Sequence, residues 1–447
     1  MRAAGIGALC LFGLAPPCFG EEPGAESSSV PGWVPRMLGA QFTYIGQHLQ
    51  RFHAAYSGAR SLKSTGDSKE TDTYGMYFGS QVVSRLQFYL DLEMARGHGV
   101  SNAEGLAGIT NGDVIRQGSV DLGQSPYVAR AYFRYSLPLS NESEAVERGQ
   151  DHVASREATS RLEMKAGKFA LTDDFDVNRY ANATRTQFMN WSLFNNTSWD
   201  YAADTRGFTN GILIAWVHPG WALRFASMQM PTVANGNVFD HHVDQARGDN
   251  VELTWGPAPA GTVVRLLAFE NHGRMGSYRE AIAIAALRRT VPDIAADDRP
   301  GRTKVGFGIN LEQPLAAGGE TGLFARAGWN DGKNEDFVFT EVDRSLSLGG
   351  QVSGRAWRRG GDRLGIAATV HGLSRDHRAY LAAGGLGFLL GDGRLSYGYE
   401  EIAEVYYCAQ IGPYVQIGPD FQYVRNAGYN RDRGPARVLS VRLNLHY

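Results

Sequence analysis

The sequence has few cysteines, few lysines and no long apolar runs. Its 447 residues include three cysteines, and of its 44 basic residues six are lysine and 38 are arginine. Beyond the N-terminus no run approaches the roughly 18 consecutive apolar residues of a membrane-spanning helix, which excludes a multi-helix membrane protein. The formal net charge of −2 argues against a nucleic-acid-binding protein, because phosphate contacts require an excess of positive charge.

Glycine and aromatic residues, by contrast, are abundant. The chain contains 55 glycines, 20 tyrosines, 21 phenylalanines and 8 tryptophans. Glycine therefore makes up about 12% of the chain, against a typical ~7%. Glycine supports turns and aromatic residues favour strands, so this composition favours a β-rich chain with many turns.

The N-terminus is typical of a secretory signal peptide. An apolar stretch over 6–15 is followed by two prolines and by small residues that end at Gly20. Cleavage after Gly20 would leave Cys408 as the single cysteine, so no intramolecular disulfide could form. We therefore predict a signal peptide at 1–20 and a flexible periplasmic lead-in, rich in Glu, Ser and Pro, at 21–38.

Apolar and polar residues alternate with a period of two through most of the chain, and helical periodicity is nearly absent. This alternation is typical of strands that are buried on one face only. It predicts strands at 82–93, 127–137, 221–225, 346–357 and 439–447.

Two all-β architectures share this pattern. A soluble sandwich or propeller turns its apolar face inward, whereas an outer-membrane barrel turns it to lipid and lines the lumen with its polar face. The signal peptide favours the barrel, as do aromatic residues at the ends of apolar faces, such as Tyr127 and Trp221, and the C-terminal Tyr447. About 427 mature residues would supply about 16 strands of ~10 residues with uneven loops. The sequence therefore predicts an all-β fold, an antiparallel transmembrane β-barrel of about 16 strands over 39–447.

The longest stretch without alternation is 173–204, which is dense in Asn, Asp, Arg, Tyr and Trp. Such a segment either folds inward and narrows the lumen or forms an extracellular loop that carries these polar and aromatic side chains. The residues alone leave both readings open.

Enzyme motifs are missing from the sequence, which contains no GxSxG, HExxH, Walker or CxxC motif. The best candidate metal ligands are His241 and His242, flanked by Asp240 and Asp244, but adjacent side chains on a strand point in opposite directions. We therefore expect a protein that is not an enzyme and that holds no cofactor and no metal.

Arginine side chains fall on the polar strand faces. They either solvate a surface or line a lumen, where the fixed fork of a guanidinium group donates to hydroxyl pairs or anions. Carboxylates would accept from hydroxyl groups, and aromatic rings would stack on the apolar faces of sugars. A lumen with these groups suits the passage of sugars. The arginines on polar faces are Arg85, Arg130, Arg134, Arg161, Arg224, Arg326 and Arg442.

The string FDVNRYANATRTQFMNWSLFNNTSWDYAADTRGFTNG, which begins at Phe175, resembles the signature stretch of the carbohydrate-selective porins of the OprB type. Similar segments follow the family order through most of 75–447. Among them are GLAGITNGDVIR (105–116), LSRDHRAYLAAGGLGFLLGDGRLSYG (373–398) and GYNRDRGP (428–435).

The resemblance implies a barrel of about 16 strands in a Gram-negative outer membrane, with inward-folded loops that form a constriction. It also implies passive diffusion of small carbohydrates, glucose-like mono- and oligosaccharides, through a charged and aromatic pore. Asp200, Asp204 and Arg206 could instead pair with one another and pin the loop. Pore-narrowing or loop-fixing roles are implied for Asn178, Arg179, Tyr180, Arg185, Thr186, Gln187, Asn190, Trp191, Trp199, Asp200, Tyr201, Asp204 and Arg206.

We predict that the pore lining and the constriction consist of arginines on the strand faces, residues of this signature and Glu404. Two other functions stay open: a general or anion-leaning porin without sugar selectivity, and a secreted carbohydrate-binding β-protein. The partners expected are small sugars, outer-membrane lipid and lipopolysaccharide, and the barrel-assembly machinery through the C-terminal strand; monomer and homotrimer are both open. The predicted site residues are Arg85, Arg130, Arg134, Arg161, Arg179, Arg185, Asn190, Trp191, Asp200, Asp204, Arg206, Arg224, Arg326 and Glu404.

Overall fold

A computed structural model describes residues 37–113, 122–149, 152–256, 261–316, 318–338 and 340–447. The predicted signal peptide and most of the predicted lead-in lie outside the described residues. Within these ranges the chain forms 18 strands. They are β1 (Met37–Leu49), β2 (Asp67–Val83), β3 (Leu86–Gly97), β4 (Tyr127–Pro138), β5 (Ser143–Val146), β6 (Ser155–Ala158), β7 (Arg161–Phe169), β8 (Thr209–His218), β9 (Trp221–Gln229), β10 (Arg247–Trp255), β11 (Val263–Met275), β12 (Arg299–Pro314), β13 (Gly322–Asn330), β14 (Arg344–Ser353), β15 (Arg363–Gly372), β16 (Glu400–Ile411), β17 (Val415–Arg425) and β18 (Ala436–His446).

Sixteen of these strands close into one antiparallel barrel. Each pairs with its neighbour in sequence, except that β4 pairs with β7 while β5 and β6 form a separate hairpin. β1 pairs with β18, from Gln41 opposite His446 to Leu49 opposite Val438, which closes the sheet. The closed sheet confirms the predicted barrel and excludes a sandwich or a propeller. Its first strand begins at Met37, two residues before the expected start of the barrel.

The alternation in the sequence becomes an apolar outer face and a polar inner face. On β18, Leu439, Val441 and Leu445 are 37–51% exposed on the outside, whereas Arg442 and Asn444 are at most 3% exposed on the inside. Because successive side chains of a strand point to opposite faces, one strand serves both surfaces. In a barrel of this kind the apolar outer face meets lipid.

Three of the sequence expectations for the strands were wrong. The predicted strand 346–357 ends at Ser353, and Gly354–Trp357 forms a 3-10 turn. The predicted strand 82–93 is interrupted by a two-residue turn at Ser84 and Arg85, so β2 and β3 are separate strands. Tyr127 does not lie on the lipid-facing side. A β-bulge between β3 and β4 leaves Ala129 as an extra residue, and this turns Tyr127 toward the lumen.

The two ends of the barrel differ in the length of their connections. At one end six of the seven connections have two to nine residues, and the seventh, 139–160, holds the β5–β6 hairpin. At the other end the connections have ten to 39 residues. Short periplasmic turns and longer extracellular loops are typical of outer-membrane barrels, so the short end is periplasmic.

The helices lie in the long loops, although the sequence showed almost no helical periodicity. The α-helices are α1 (Trp191–Phe194), α2 (Tyr278–Arg288) and α3 (Arg375–Ala382), and single 3-10 turns occur at Val100–Ala103, Leu171–Asp173, Ile294–Asp297, Gly354–Trp357 and Ala427–Tyr429. Among the described residues, no helix combines the length and the apolar character needed to cross a membrane. Ser277 and Ser374 cap the N-termini of α2 and α3 through their side chains.

Candidate functional site

The connection between β7 and β8, residues 170–208, folds into the lumen. Phe188 and Leu193 of this loop are fully buried, and Phe188 packs against Phe324 and Tyr406 on the inner wall at ring-centroid distances of 5.7 and 4.9 Å. Of the two readings that the residues left open, the structure supports the inward loop. This loop is called the constriction loop below.

Charged side chains of the wall hold the constriction loop by its backbone. The Glu404 carboxylate accepts hydrogen bonds from the N–H groups of Met189 (2.5 Å) and Asn190 (2.9 Å). Arg326 donates to the carbonyl oxygens of Leu193 (2.9 Å) and Ala181 (2.7 Å). Glu404 and Arg326, which were predicted to line the pore, are buried beneath the loop.

A second loop, between β3 and β4, also enters the barrel with its described residues 98–113. The Glu400 carboxylate accepts from the N–H of Gly108 (2.8 Å), and Gln47 donates to the carbonyl of Thr110 (3.1 Å). The two loops meet where the Asn190 side chain donates to the Gly108 carbonyl at 3.1 Å. Asn190 therefore joins the loops instead of facing open space.

The two loops and the wall of β1–β4 enclose a cavity of about 460 Å³. Its lining includes both charged and aromatic side chains. The charged side chains are Arg130, Arg185 and Arg206 together with Glu93, Asp113 and Asp173, and the aromatic ones are Tyr127, Trp191, Phe194, Tyr201 and Phe208. This cavity is called the constriction below.

Arg185, at the tip of the constriction loop, contacts several walls at once. Its Nε donates to Asp113 Oδ1 at 2.5 Å, and its Nη1 donates to Gln41 (2.8 Å) and Tyr77 (3.1 Å). Glu93 lies 3.4 Å from Nη2. Burial lowers the pKa of Arg185, but Asp113 and Glu93 outweigh burial and hold the pKa well above its ordinary value. Arg185 is therefore a fixed positive charge.

Arg130 forms the second set of ion pairs. Its Nε and Nη2 bind the two carboxylate oxygens of Asp173 at 2.7 and 2.5 Å, and Nη1 lies 3.2 Å from Asp91. Burial raises the pKa of Asp173, but Arg130 outweighs burial and the net pKa is lowered, so Asp173 is ionised near neutral pH. Arg206 stacks over the Tyr127 ring at 4.3 Å.

Asp200, Asp204 and Arg206 do not form ion pairs with one another. Asp200 accepts from the N–H of Phe337 at 3.0 Å and lies 3.3 Å from Lys304. Asp204 accepts from the backbone N–H of Arg206 at 2.9 Å, which closes a local turn. Both aspartates fix the loop, and neither lines the constriction.

Three predicted arginines lie at the periplasmic end. Arg134 is buried and pairs with Glu157 (2.5 Å) and Glu163 (2.8 Å), and Arg161 pairs with Glu163 (2.6 Å). Arg85 lies in the exposed turn between β2 and β3. None of the three lines the constriction.

The two remaining predicted residues lie elsewhere. Arg179 is on the constriction loop and exposed. Arg224 points inward on β9, where it donates to Thr254 at 2.9 Å and lies 3.7 Å from Glu252. Of the predicted residues, the structure thus brings Arg130, Arg185, Trp191 and Arg206 together at the constriction.

Sequence reasoning missed several residues of the constriction, namely Glu93, Asp113, Asp173 and Tyr127. Asp113 lies in the family-like segment 105–116, and Asp173 lies two residues before the signature, so the resemblance could have identified both. Glu93 has the same spacing of two residues as the inward-facing Tyr89 and Asp91, so the alternation could have identified it. Tyr127 carried no such signal because the bulge reverses its direction.

The sequence matches a known porin family, and the fold is similar to known outer-membrane channels. Residues 81–447 match the model of the carbohydrate-selective porin, OprB family. The fold is similar to OprB of Pseudomonas putida, in a structure described as a high-pH form, with a TM-score of 0.67 and 14% identity over 92% of this chain and 94% of that one. The outer membrane channel DcaP of Acinetobacter baumannii matches with a TM-score of 0.49 and 9% identity over 92% of this chain and 96% of that one. No curated protein matches the sequence.

Proposed function

Since the chain belongs to the carbohydrate-selective porin family, OprB, we propose that its pore conducts small neutral sugars by passive diffusion. The chain is an outer-membrane channel of a Gram-negative bacterium and not an enzyme. The observation that carries the sugar proposal is the constriction, in which matched positive and negative charges face aromatic rings.

The balance of charge in the constriction favours a neutral solute. Three arginines and three carboxylates line it, so the described part of the lining carries no formal excess of either sign. A pore selects ions through rings of one sign, whereas hydroxyl groups both donate to carboxylates and accept from guanidinium groups. Bonds of this kind are weak and replaceable, as a solute that must leave the pore requires.

The aromatic residues of the constriction supply a surface for the apolar faces of a sugar. Tyr127, Trp191 and Phe208 present apolar area next to the ion pairs. Sites for small molecules combine aromatic walls with a few placed polar groups. A pyranose ring has apolar faces and a polar rim, so it matches both the aromatic and the charged side chains of the constriction.

Arg206 favours a second candidate function, an anion-leaning pore. Its guanidinium stacks on Tyr127 and forms no ion pair with any carboxylate in the part of the chain that the structure describes. A single unpaired cation at a narrow point would raise the local concentration of anions. The two candidates differ in what they predict for charged solutes.

Liposome swelling with the refolded protein separates these functions. We expect faster swelling in glucose than in a charged solute of the same size, and slower swelling in a disaccharide. Faster entry of an anion of glucose size would support the anion-leaning pore. Swelling that follows solute size alone would remove the selectivity and leave a general diffusion pore.

A further inference from the structure

The connection between β4 and β7 is unusual for its end of the barrel. It spans residues 139–160, whereas every other connection at the periplasmic end has at most nine residues. Its strands β5 and β6 pair only with each other and take no part in the barrel sheet. This connection is called the periplasmic hairpin below.

The periplasmic hairpin folds back onto the inner wall. Val153 is 3% exposed and packs with Met37, Tyr77 and Tyr89, and its N–H donates to the Tyr89 hydroxyl at 3.0 Å. Glu157 pairs with the inward Arg134. Because a two-stranded hairpin is marginally stable alone, these contacts determine where it lies. It covers the β1–β4 side of the periplasmic mouth.

The wall next to the hairpin carries a row of hydrogen-bonded amides, called the amide belt below. Gln41 of β1 donates to Asn444 of β18 (2.7 Å), and Asn444 donates to Gln416 of β17 (3.2 Å). Gln416 in turn donates to Gln410 of β16 (2.8 Å). The amide belt therefore runs from the constriction, where Gln41 meets Arg185, toward the periplasmic rim.

A cavity of about 390 Å³ lies between the hairpin and the amide belt. Gln41, Asn444 and Gln416 line one side, and Arg148 of the hairpin lines another. Gln41 and Thr186 line both this cavity and the constriction, so the two spaces adjoin. Its volume falls in the range of about 300–1,000 Å³ that is usual for small-molecule sites. This cavity is called the vestibule below.

We propose that the vestibule is a second solute site, on the periplasmic side of the constriction, which binds a neutral polyhydroxyl solute through the amide belt. The proposal rests on the proposed function and extends it from one site to two sites in series. Among the described residues, the lining of the vestibule contains no aspartate or glutamate, in contrast to the constriction. Amides are suited to hydroxyl groups because each both donates and accepts without net charge.

The amide belt retains capacity for a solute. Among the contacts of the described residues, Gln41 and Gln416 each use their side-chain nitrogen for one hydrogen bond within the belt. An amide nitrogen carries two N–H donors, so one donor on each side chain is available to the vestibule. A sugar that leaves the constriction can replace its hydrogen bonds to the charged side chains with hydrogen bonds to the amide side chains. It therefore stays hydrogen-bonded as it moves into the vestibule.

Block of ion current by sugar tests this proposal on the full-length channel in a planar bilayer. Glucose is titrated on the periplasmic side of wild type and of Gln416→Leu. We expect the half-blocking concentration to rise about three- to tenfold in Gln416→Leu, as the loss of one or two hydrogen bonds implies. The block is measured relative to the open-channel conductance of each protein without sugar. Gln416→Ser replaces Gln416→Leu if the leucine variant does not assemble.

Gln81→Leu is the matched control. Gln81 lies at the same end of the barrel and on the other side of the hairpin, and it does not line the vestibule. Equal half-blocking concentrations in wild type, Gln416→Leu and Gln81→Leu would overturn the vestibule site and leave the proposed function standing. Absence of sugar block in wild type from either side would overturn both.

Discussion

Arg185 shows how a single side chain sets the charge of the constriction. It lies within the constriction loop, yet its partners Asp113, Glu93, Gln41 and Tyr77 come from a second loop and from three strands. Removal of the Arg185 charge would therefore leave two carboxylates without their cation, whereas removal of one carboxylate would leave Arg185 paired with the other. The ion selectivity that one such side chain sets therefore depends more on which charges are paired than on how many charges there are.

Charge substitutions at the constriction should shift ion selectivity in opposite directions. Arg185→Gln leaves Asp113 and Glu93 without their cation, so we expect a several-fold shift toward cations. Asp113→Asn leaves Arg185 with Glu93 alone, so we expect a shift toward anions. The double variant should return close to wild type. The zero-current potential under a KCl gradient measures each shift.

Arg179→Gln is the control for these variants, since Arg179 belongs to the same loop and is exposed outside the constriction. A zero-current potential of Arg185→Gln that matches that of Arg179→Gln would contradict the role given to Arg185.

The sequence could predict which side chains face inward, but not what they meet there. Arg130 and Arg326 both occupy polar strand faces, and the sequence treats them alike. Arg130 reaches the constriction, while Arg326 is 2% exposed beneath the constriction loop. The difference arises from where a distant loop lies, and no local pattern records that position.

Among the elements, the periplasmic hairpin is held by one buried ion-pair cluster. Arg134 connects it, through Glu157, to β4, and also pairs with Glu163 of β7. Removal of one partner from a buried pair typically costs about 3–5 kcal/mol, because the other charge stays buried without compensation. The hairpin can move without loss of a barrel strand, so the cost should appear as displacement of the hairpin.

Displacement of the hairpin should open the periplasmic mouth. We expect Arg134→Ala, and a variant in which residues 140–159 are replaced by a two-residue turn, to have higher single-channel conductance than wild type. Both should still form a barrel, as judged by a heat-dependent shift in SDS gels. Wild-type conductance in two assembled variants would show that the hairpin does not narrow the mouth.

The loops that carry α2 and α3 enclose a buried titratable cluster. His377 of α3 stacks on Tyr278 of α2 at 4.2 Å, and it lies 3.1 Å from Asp343 and 3.7 Å from Asp336. Burial lowers the pKa of His377, but the neighbouring carboxylates, first Asp343, outweigh burial and raise it overall. Burial raises the pKa of Asp336 to about 8. Glu341 and Lys304 also face this cluster.

These pKa shifts predict that alkaline pH loosens the α2–α3 loops. A base with a raised pKa stabilises the fold below its ordinary pKa, and this stabilisation is lost as pH rises through the folded value. An acid with a raised pKa lowers stability as pH rises from its ordinary pKa to its folded value, so Asp336 adds to this loss up to about pH 8. Trypsin should therefore cleave after Arg288 faster at pH 9 than at pH 7, relative to a reference peptide.

His377→Gln supplies the control, because it removes one of the two titrating groups. We expect a smaller ratio between the two cleavage rates in His377→Gln than in wild type. Identical ratios in the two proteins would show that His377 does not hold these loops.

The elements that the sequence predicted well are those with a strict period of two, such as β18. The turn at Ser84 and Arg85 was missed because apolar residues continue on both sides of it. The helices α2 and α3 were missed because they are short, and because the apolar residues of α2 do not follow a clear helical stripe. Local pattern is sufficient for a long strand and insufficient for a short element that tertiary contacts stabilise.

The whole molecule is a closed lipid-facing wall around two adjoining spaces. The alternation of apolar and polar residues predicted the barrel wall, because every strand of such a barrel places apolar side chains outside and polar side chains inside. The constriction and the vestibule depend on two loops and a hairpin that contact strands far away in sequence, such as Thr186 near Gln416 and Asn444. Their existence could be inferred from the family resemblance, but their geometry required the structure.

The most direct test of the central claim compares glucose with a hexitol of the same carbon number in liposome swelling. The two solutes are neutral and close in size, but only the pyranose ring offers apolar faces to Tyr127, Trp191 and Phe208. A carbohydrate-selective constriction predicts faster swelling in glucose. Equal rates, or faster entry of the hexitol, would contradict it.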